Sequence, residues 1–228
     1  MDIDIDTNIS KHIQQSIDTN MDASNIINSI IALYERLGST DYIGEHLSQY
    51  QHALQSAMSA MSDIDLMQTY NEYTRNCTIT AAFLHDIGHL VGMDGTCNDQ
   101  LNFEMVDENG KTLGVKGHER VGFEYLQQLG FPQLVCELVG NHVEAKRYLC
   151  TINNKYFNML SKASLATLYL QGGLMNEDEL YNFINQEHCK LYIKMRNYDD
   201  NSKKPEFFTE ASFNTNLDFL IEIMKKTI

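Results

Sequence analysis

Proline is nearly absent from this chain. Only Pro132 and Pro205 interrupt its 228 residues, and such scarcity suits helices, because an interior proline removes a backbone donor and clashes with the preceding turn. Cysteine occurs in no pattern that could staple the chain. Cys77, Cys97, Cys136, Cys150 and Cys189 are odd in number and none forms a C-x-x-C pair; they read as reduced thiols in a cytoplasmic protein. Basic residues are few. Lys and Arg total 17 against 31 Asp and Glu, for a formal net charge of -14. That balance argues against partnership with a nucleic-acid backbone or an anionic membrane, but not against small anions, which need only a local cluster of Lys and Arg. No apolar run approaches the roughly 18–20 residues of a membrane span. The N-terminus, Met1-Asp2-Ile3-Asp4-Ile5-Asp6, lacks the basic and apolar regions of a signal peptide.

What the chain does have is 43% hydrophobic residues, enough for one buried core. Residues 1–22 are rich in Asp, Asn, Ile and Ser and read as a flexible N-terminal segment; residues 23–228 read as one helical domain. Helical periodicity predicts helices over residues 24–37, 45–62, 74–90, 118–129, 132–149, 154–170, 177–188 and 206–226. Residues 91–116, with Gly92, Gly95, Gly110 and Gly114 among several Asp and Asn, read as a long loop. No alternating strand pattern persists. The expected class is all-α, a bundle of about seven or eight helices.

The chemistry concentrates in Leu84-His85-Asp86-Ile87-Gly88-His89. An adjacent His-Asp pair ending an apolar run offers an imidazole nitrogen and a carboxylate with two oxygens, able to bridge two metals. His52, His118 and His142 stand on other predicted helices, and Asp199 follows further along the chain. Ligands scattered over separate helices are how helical bundles build carboxylate–imidazole metal sites. A donor set without thiolate favours Fe, Mn or Zn. Each of these residues alone is more often a hydrogen-bonded core polar group than a ligand; the joint pattern is what points to metal, since every polar residue on an apolar face costs stability unless satisfied. His12, His46 and His188 read as surface residues.

Further motifs accompany these: Asp41-Tyr42-Ile43-Gly44-Glu45 ahead of His52, then Gly117-His118-Glu119, then His142-Val143-Glu144-Ala145-Lys146-Arg147-Tyr148-Leu149, then Gln171-Gly172-Gly173 and the Arg196/Asp199 pair. With them the chain, over roughly residues 24–200, resembles the HD-domain superfamily and, within it, the mixed-valent diiron oxygenases of phosphonate catabolism. The resemblance implies two iron ions. His52, His85, Asp86 and Asp199 would hold one, and Asp86 would bridge to a second completed by His118 and His142. Lys146, His89, Ser164 and Thr167 match phosphonate-binding positions. Tyr42 and Glu45 match a mobile pair that closes over the site, Glu45 facing the substrate amine. The implied reaction is O2-dependent cleavage of the C–P bond of a 1-hydroxyphosphonate, such as 2-amino-1-hydroxyethylphosphonate or its trimethylated analogue, to an amino acid or betaine plus phosphate. The partners are then a small phosphonate and O2, with no nucleic acid and no membrane. The segment between His89 and His118 is longer than the family pattern, and the first ~20 residues match nothing in it.

Spacing is compatible with these roles. His85 and His89, and likewise His142 and Lys146, are four apart and share a helix face, so the Lys146 ammonium stands about one turn from the metal. Ser164, Thr167 and Gln171 form a polar stripe. Plainer alternatives stand beside each reading: back-bonding for Ser164 and Thr167, a helix entry for Tyr42 and Glu45, a solvated basic face for Lys146 and Arg147. The rival activity is a metal-dependent HD phosphohydrolase, in which the same ligands activate water for attack on a phosphoester or nucleotide.

Overall fold

The computed structural model describes residues 22–39, 47–94, 104–106, 110, 112–205 and 207–228. Tyr42, Glu45, Cys97 and the N-terminal segment 1–21 lie outside the described residues. Those described form thirteen helices and one small hairpin, and the all-α class holds.

Helix α1 (Ala23–Leu37) starts at Asp22, whose side chain accepts from Asn25 N, and buries Ile26, Ile27, Ile30, Leu33 and Tyr34 along one face. Helix α2 (Gln49–Met61) opens on a reciprocal capping box between Ser48 and Gln51. Each such box satisfies two backbone donors the helix would otherwise leave unpaired. A short α3 (Ile64–Thr69) leads to α4 (Glu72–Leu84) and α5 (Ile87–Met93). The hairpin pairs β1 (Glu104–Val106) with β2 (Thr112–Val115), antiparallel, Glu104 opposite Val115. Then come α6 (His118–Gln128), α7 (Gln133–Gly140), α8 (His142–Ile152), α9 (Asn154–Met159), α10 (Lys162–Leu170), α11 (Glu177–Ile184), α12 (Cys189–Asn201) and α13 (Glu210–Lys225).

At the centre, α4 is buried along its whole second half, from Cys77 to Leu84, and packs on α2 and α7. Helix α5 lies on α6, and α12 crosses both α8 and α2. Phe83, Leu84, Ile87, Leu90, Leu126 and Leu138 are fully buried in one core, each stabilising the fold by about 1.5–3 kcal/mol through area removed from water. Tyr34 sits among them and donates its hydroxyl to Phe83 O at 2.9 Å. No helix among the described residues is long and apolar enough to cross a membrane.

The helix count exceeds the sequence expectation because several predicted runs break. The run 74–90 stops at Leu84 and restarts at Ile87, since Asp86 leaves the helical region at φ −102, ψ 9. The run 132–149 breaks at Asn141, and 154–170 breaks before the Ser161 cap. The loop expected over 91–116 carries the end of α5 and the hairpin, whose strands of three and four residues are too short for alternation to register. Helices α3 and α12 were not anticipated. The sequence of α12, with its mean apolar content offset by Lys190, Lys194, Arg196, Asp199 and Asp200, hides its buried stripe.

Candidate metal centre and anion pocket

Asp86 occupies the N-cap position of α5, where an aspartate ordinarily accepts from backbone N–H groups two or three residues on. Its carboxylate makes no such bond. The two oxygens are turned to histidines instead, and they divide. Oδ1 lies 3.2 Å from His118 Nε2 and 3.6 Å from His142 Nε2. Oδ2 lies 3.3 Å from His85 Nε2 and 3.8 Å from His52 Nε2. On the Oδ2 side Asp199 joins, its Oδ1 3.4 Å from His52 Nε2.

Breaks between helices place these groups. His85 ends α4, His142 opens α8 directly after α7, and His118 opens α6 after Gly117. Gly117 takes φ +71, a left-handed turn that costs other residues about 1–2 kcal/mol. Gly88 lets α5 touch the start of α6: a Cβ there would stand 1.9 Å from the His118 carbonyl oxygen.

The imidazole hydrogen bonds decide which ring nitrogen faces inward. His52 Nδ1–H donates to Ser202 O at 2.7 Å, His85 Nδ1–H to Ala82 O at 2.9 Å, and His142 Nδ1–H to Val139 O at 2.7 Å. Carbonyls only accept, so each Nδ1 carries the proton and each Nε2 presents a lone pair. His118 Nδ1 faces the Glu119 carboxylate at 3.4 Å. The inward Nε2 atoms then meet in pairs, His52 with His85 at 3.2 Å and His118 with His142 at 3.1 Å. Two bare lone pairs at that distance repel, so a proton or a metal ion must lie between them. Buried imidazoles paired this way and flanked by carboxylates suit metal binding, and Asp86 faces both pairs.

Charge runs the same way. Burial alone would raise the Asp86 carboxyl, but His85 and His118 override it and hold it well below the usual range. Burial would lower His85, yet Asp86 pushes it up to about 9. Burial and the charge of His118 push His142 down to about 3. Protons and metal ions therefore compete for one set of sites.

His89 differs in kind. Its Nδ1 accepts from Val115 N at 2.9 Å, and its ring stacks on His118 at 3.9 Å between centroids. His89 forms a possible metal-holding group with Asp86 and His118, but an Nδ1 already accepting an N–H has no lone pair left for a metal.

A cavity of about 50 Å³ opens beside the cluster, lined by Asp86, His118, His142 and Asp199 on one side and Lys146, Ser164 and Thr167 on the other. His89 is not among its described lining residues. Lys146 is 3% exposed. Its ammonium donates to Thr167 Oγ1 at 3.1 Å and to Gln171 Oε1. Both partners are neutral, and burial, followed by the charge of Arg196, pushes Lys146 down to about 7. Thr167 also back-bonds to Ser164 O at 3.1 Å, so both readings of that residue hold together. The solvated basic face does not: Arg147 is buried and bonds Glu144, Glu179 and the Gly173 carbonyl.

Two further cations border the cavity. Arg196 donates to Asp199 Oδ2 at 2.5 Å and fixes that carboxylate, which leaves Oδ1 for His52. Lys203, which the sequence reasoning passed over, reaches Ser164 Oγ at 3.3 Å and Asp199 Oδ1 at 3.6 Å. Its signal was the i, i+4 spacing from Asp199.

A profile of the HD domain matches residues 50–172. The chain belongs to the HD-domain family. The matched span carries His52, His85, Asp86, His118 and His142, while Asp199 lies beyond it. The HD-domain chain is 38% identical over 177 residues to an uncharacterized protein of Acanthamoeba polyphaga mimivirus, covering 78% of this chain and 72% of that protein. It is 33% identical over 189 residues to a 1-hydroxy-2-(trimethylamino)ethylphosphonate dioxygenase (glycine-betaine-forming) of Leisingera caerulea, covering 83% and 86%. It is 36% identical over 177 residues to a hydroxymethylphosphonate dioxygenase of Gimesia maris, covering 78% of each. The resemblance read from the motifs is borne out at this level: an HD domain whose relatives include phosphonate dioxygenases.

Proposed function

We propose that this HD-domain protein is an iron- and O2-dependent oxygenase that cleaves the C–P bond of a small 1-hydroxyphosphonate, giving a carboxylic acid and inorganic phosphate. The balance closes: the alcohol carbon rises to the carboxylic oxidation level, and one O2 supplies both oxygens gained. The observation that carries the reading is the Lys146 ammonium, buried beside His142 with only neutral hydrogen-bond partners. A buried cation is costly without a counter-charge, and a phosphonate one helical turn from the metal ligands would supply it.

Two iron ions would be held by His52, His85, Asp86 and Asp199, and by Asp86, His118 and His142. Bound there, they would supply the redox chemistry with O2 and polarise the substrate's hydroxyl and phosphonyl oxygens. The chain's own part is to bind and to aim. Lys146, with Ser164 and Thr167 beside it, holds the phosphonate against the metal side of the cavity. Arg196 keeps Asp199 in place. The ring carbonyl partners of His52, His85 and His142 stop those imidazoles from turning. Burial excludes water that would intercept a reactive species. His89 adds a neutral donor at the edge of the cluster. Tyr42 and Glu45 belong to this proposal through the resemblance only. The relatives with named substrates act on hydroxyphosphonates with and without a trimethylamino group, so the proposal commits to the 1-hydroxyphosphonate head.

The test is iron quantification with spectroscopy of the partly oxidised protein, adding 1-hydroxyphosphonates one at a time. A spectral change with a 1-hydroxyphosphonate, absent with a phosphoester, is expected. An active protein holding a single zinc ion would defeat the reading.

A further inference from the structure

We propose that the β-hairpin is a working part of this site: through the backbone N–H of Val115 it fixes His89, a phosphonate-binding position by resemblance, in the Nε2–H donor form and bars it from metal ligation. The proposal rests on the oxygenase reading for the identity of the substrate, but not for the tautomer. The hairpin falls in the segment that the sequence assigned to a plain loop.

His89 stands on α5, one turn beyond His85, in a cluster whose other imidazoles all direct Nε2 at carboxylates and at each other. A ring nitrogen of His89 lies within 4.8 Å of an Asp86 oxygen and a His118 nitrogen. By position it would be a fifth imidazole ligand. By hydrogen bonding it is not. His52, His85 and His142 each give an Nδ1 proton to a backbone carbonyl; His89 Nδ1 takes a proton from a backbone amide, at 2.9 Å. A neutral imidazole has one N–H, so the proton of His89 stands on Nε2. The donor polarity of one histidine is inverted relative to its neighbours by whether a strand or a helix end meets its Nδ1.

The contact is held from three sides. His118 stacks on the ring face, with an interplanar angle of 16°. Val115 pairs with Glu104 across the hairpin. Gly92, three residues after His89 on the same face, lets β2 approach: a Cβ there would stand 2.9 Å from both Val115 methyls. Valine holds one χ1 rotamer firmly, so that crowding moves the strand rather than the side chain. An Nε2–H donor suits an acceptor-only oxygen, such as that of a phosphonate, and discriminates against a ligand atom that can only donate.

The direct test is long-range 1H–15N NMR of the full chain loaded with diamagnetic zinc, the His89 signals assigned by their loss in His89→Gln. We expect an acceptor-type Nδ1 and a protonated Nε2 for His89, with the reverse at His52, His85 and His142. A protonated Nδ1 on His89 overturns the proposal. So does loss of a metal ion from His89→Gln, measured by elemental analysis, because that would make His89 a ligand. Glutamine places an amide donor near the Nε2 position and asparagine near Nδ1. Inorganic phosphate should therefore bind His89→Gln within a few-fold of the parent, and His89→Asn about tenfold or more weakly. Equal binding by the two refutes the donor role. Gly92→Ala should shift part of the His89 population to the other tautomer with metal content unchanged; an unaltered spectrum removes the hairpin from the account. A chain that shows the expected tautomers yet turns over no hydroxyphosphonate overturns the oxygenase reading alone.

Discussion

Adding one methyl group at Gly88 is the smallest change that should dismantle half of the proposed metal centre without touching a ligand. A Cβ there would sit 1.9 Å from the His118 carbonyl oxygen and 2.8 Å from Gly122 N. Both are backbone atoms and cannot rotate away, so α5 and α6 must part by roughly 1 Å to regain van der Waals contact. Overpacking of this kind costs about 1–3 kcal/mol, or roughly 2–12 °C in Tm for a chain of this size. The fold should survive. The metal site should not, because Asp86 precedes α5, His118 opens α6, and coordination tolerates only about 0.2 Å. The other site shares Asp86 but keeps His52 on α2, His85 at the end of α4 and Asp199 on α12, away from the displaced contact. In Gly88→Ala, iron should fall from about two ions per chain to about one, with far-UV circular dichroism unchanged. Elemental analysis of the purified variant reads this directly. Two retained ions and full activity would refute the claim that the α5–α6 approach sets the centre.

Other perturbations follow the same geometry. Arg196→Leu releases Asp199 Oδ2 from its 2.5 Å bond, and metal affinity in chelator competition should fall about 10–100-fold; unchanged affinity would mean Asp199 needs no support. Lys146 binds an anion only as the ammonium, the form present below its value of about 7. Phosphonate KM should therefore rise as pH climbs through that region, and Lys146→Arg, charged throughout, should flatten the rise. Metal must displace the proton that Asp86 holds on His85, whose value is pushed up to about 9. Apparent affinity should thus rise about tenfold per pH unit and level off above that value; a flat profile from pH 6 upward would contradict a competing proton.

The proposed ligands were legible as a group: His52, His85, Asp86, His118 and His142 stand out as polar residues in helical runs, Asp199 entered through the resemblance, and all six do converge. What periodicity could not reveal is why they converge. It runs straight through Leu84-His85-Asp86-Ile87, where the backbone breaks and frees the Asp86 carboxylate from capping. It is equally blind to the orientation of a ring, which depends on long-range partners such as Ser202 O for His52 and Val115 N for His89. Lys203 stayed hidden because it follows the end of α12, a helix whose dense charge masked its buried side. The hairpin leaves no trace in the sequence because strands of three and four residues are too short for alternation to register. Long helices are local facts; a site built at their junctions is not.

The most direct test of the central claim is the ratio of O2 consumed to phosphate released by the iron-loaded chain, with hydroxymethylphosphonate, 2-amino-1-hydroxyethylphosphonate and its trimethylated analogue offered separately. At least one should give about one O2 per phosphate, with no release under anaerobic conditions, as an oxygenase that splits the C–P bond requires. Phosphate released at the same rate without O2, or released only from phosphoesters, would contradict the oxygenase and leave a metal-dependent hydrolase in its place.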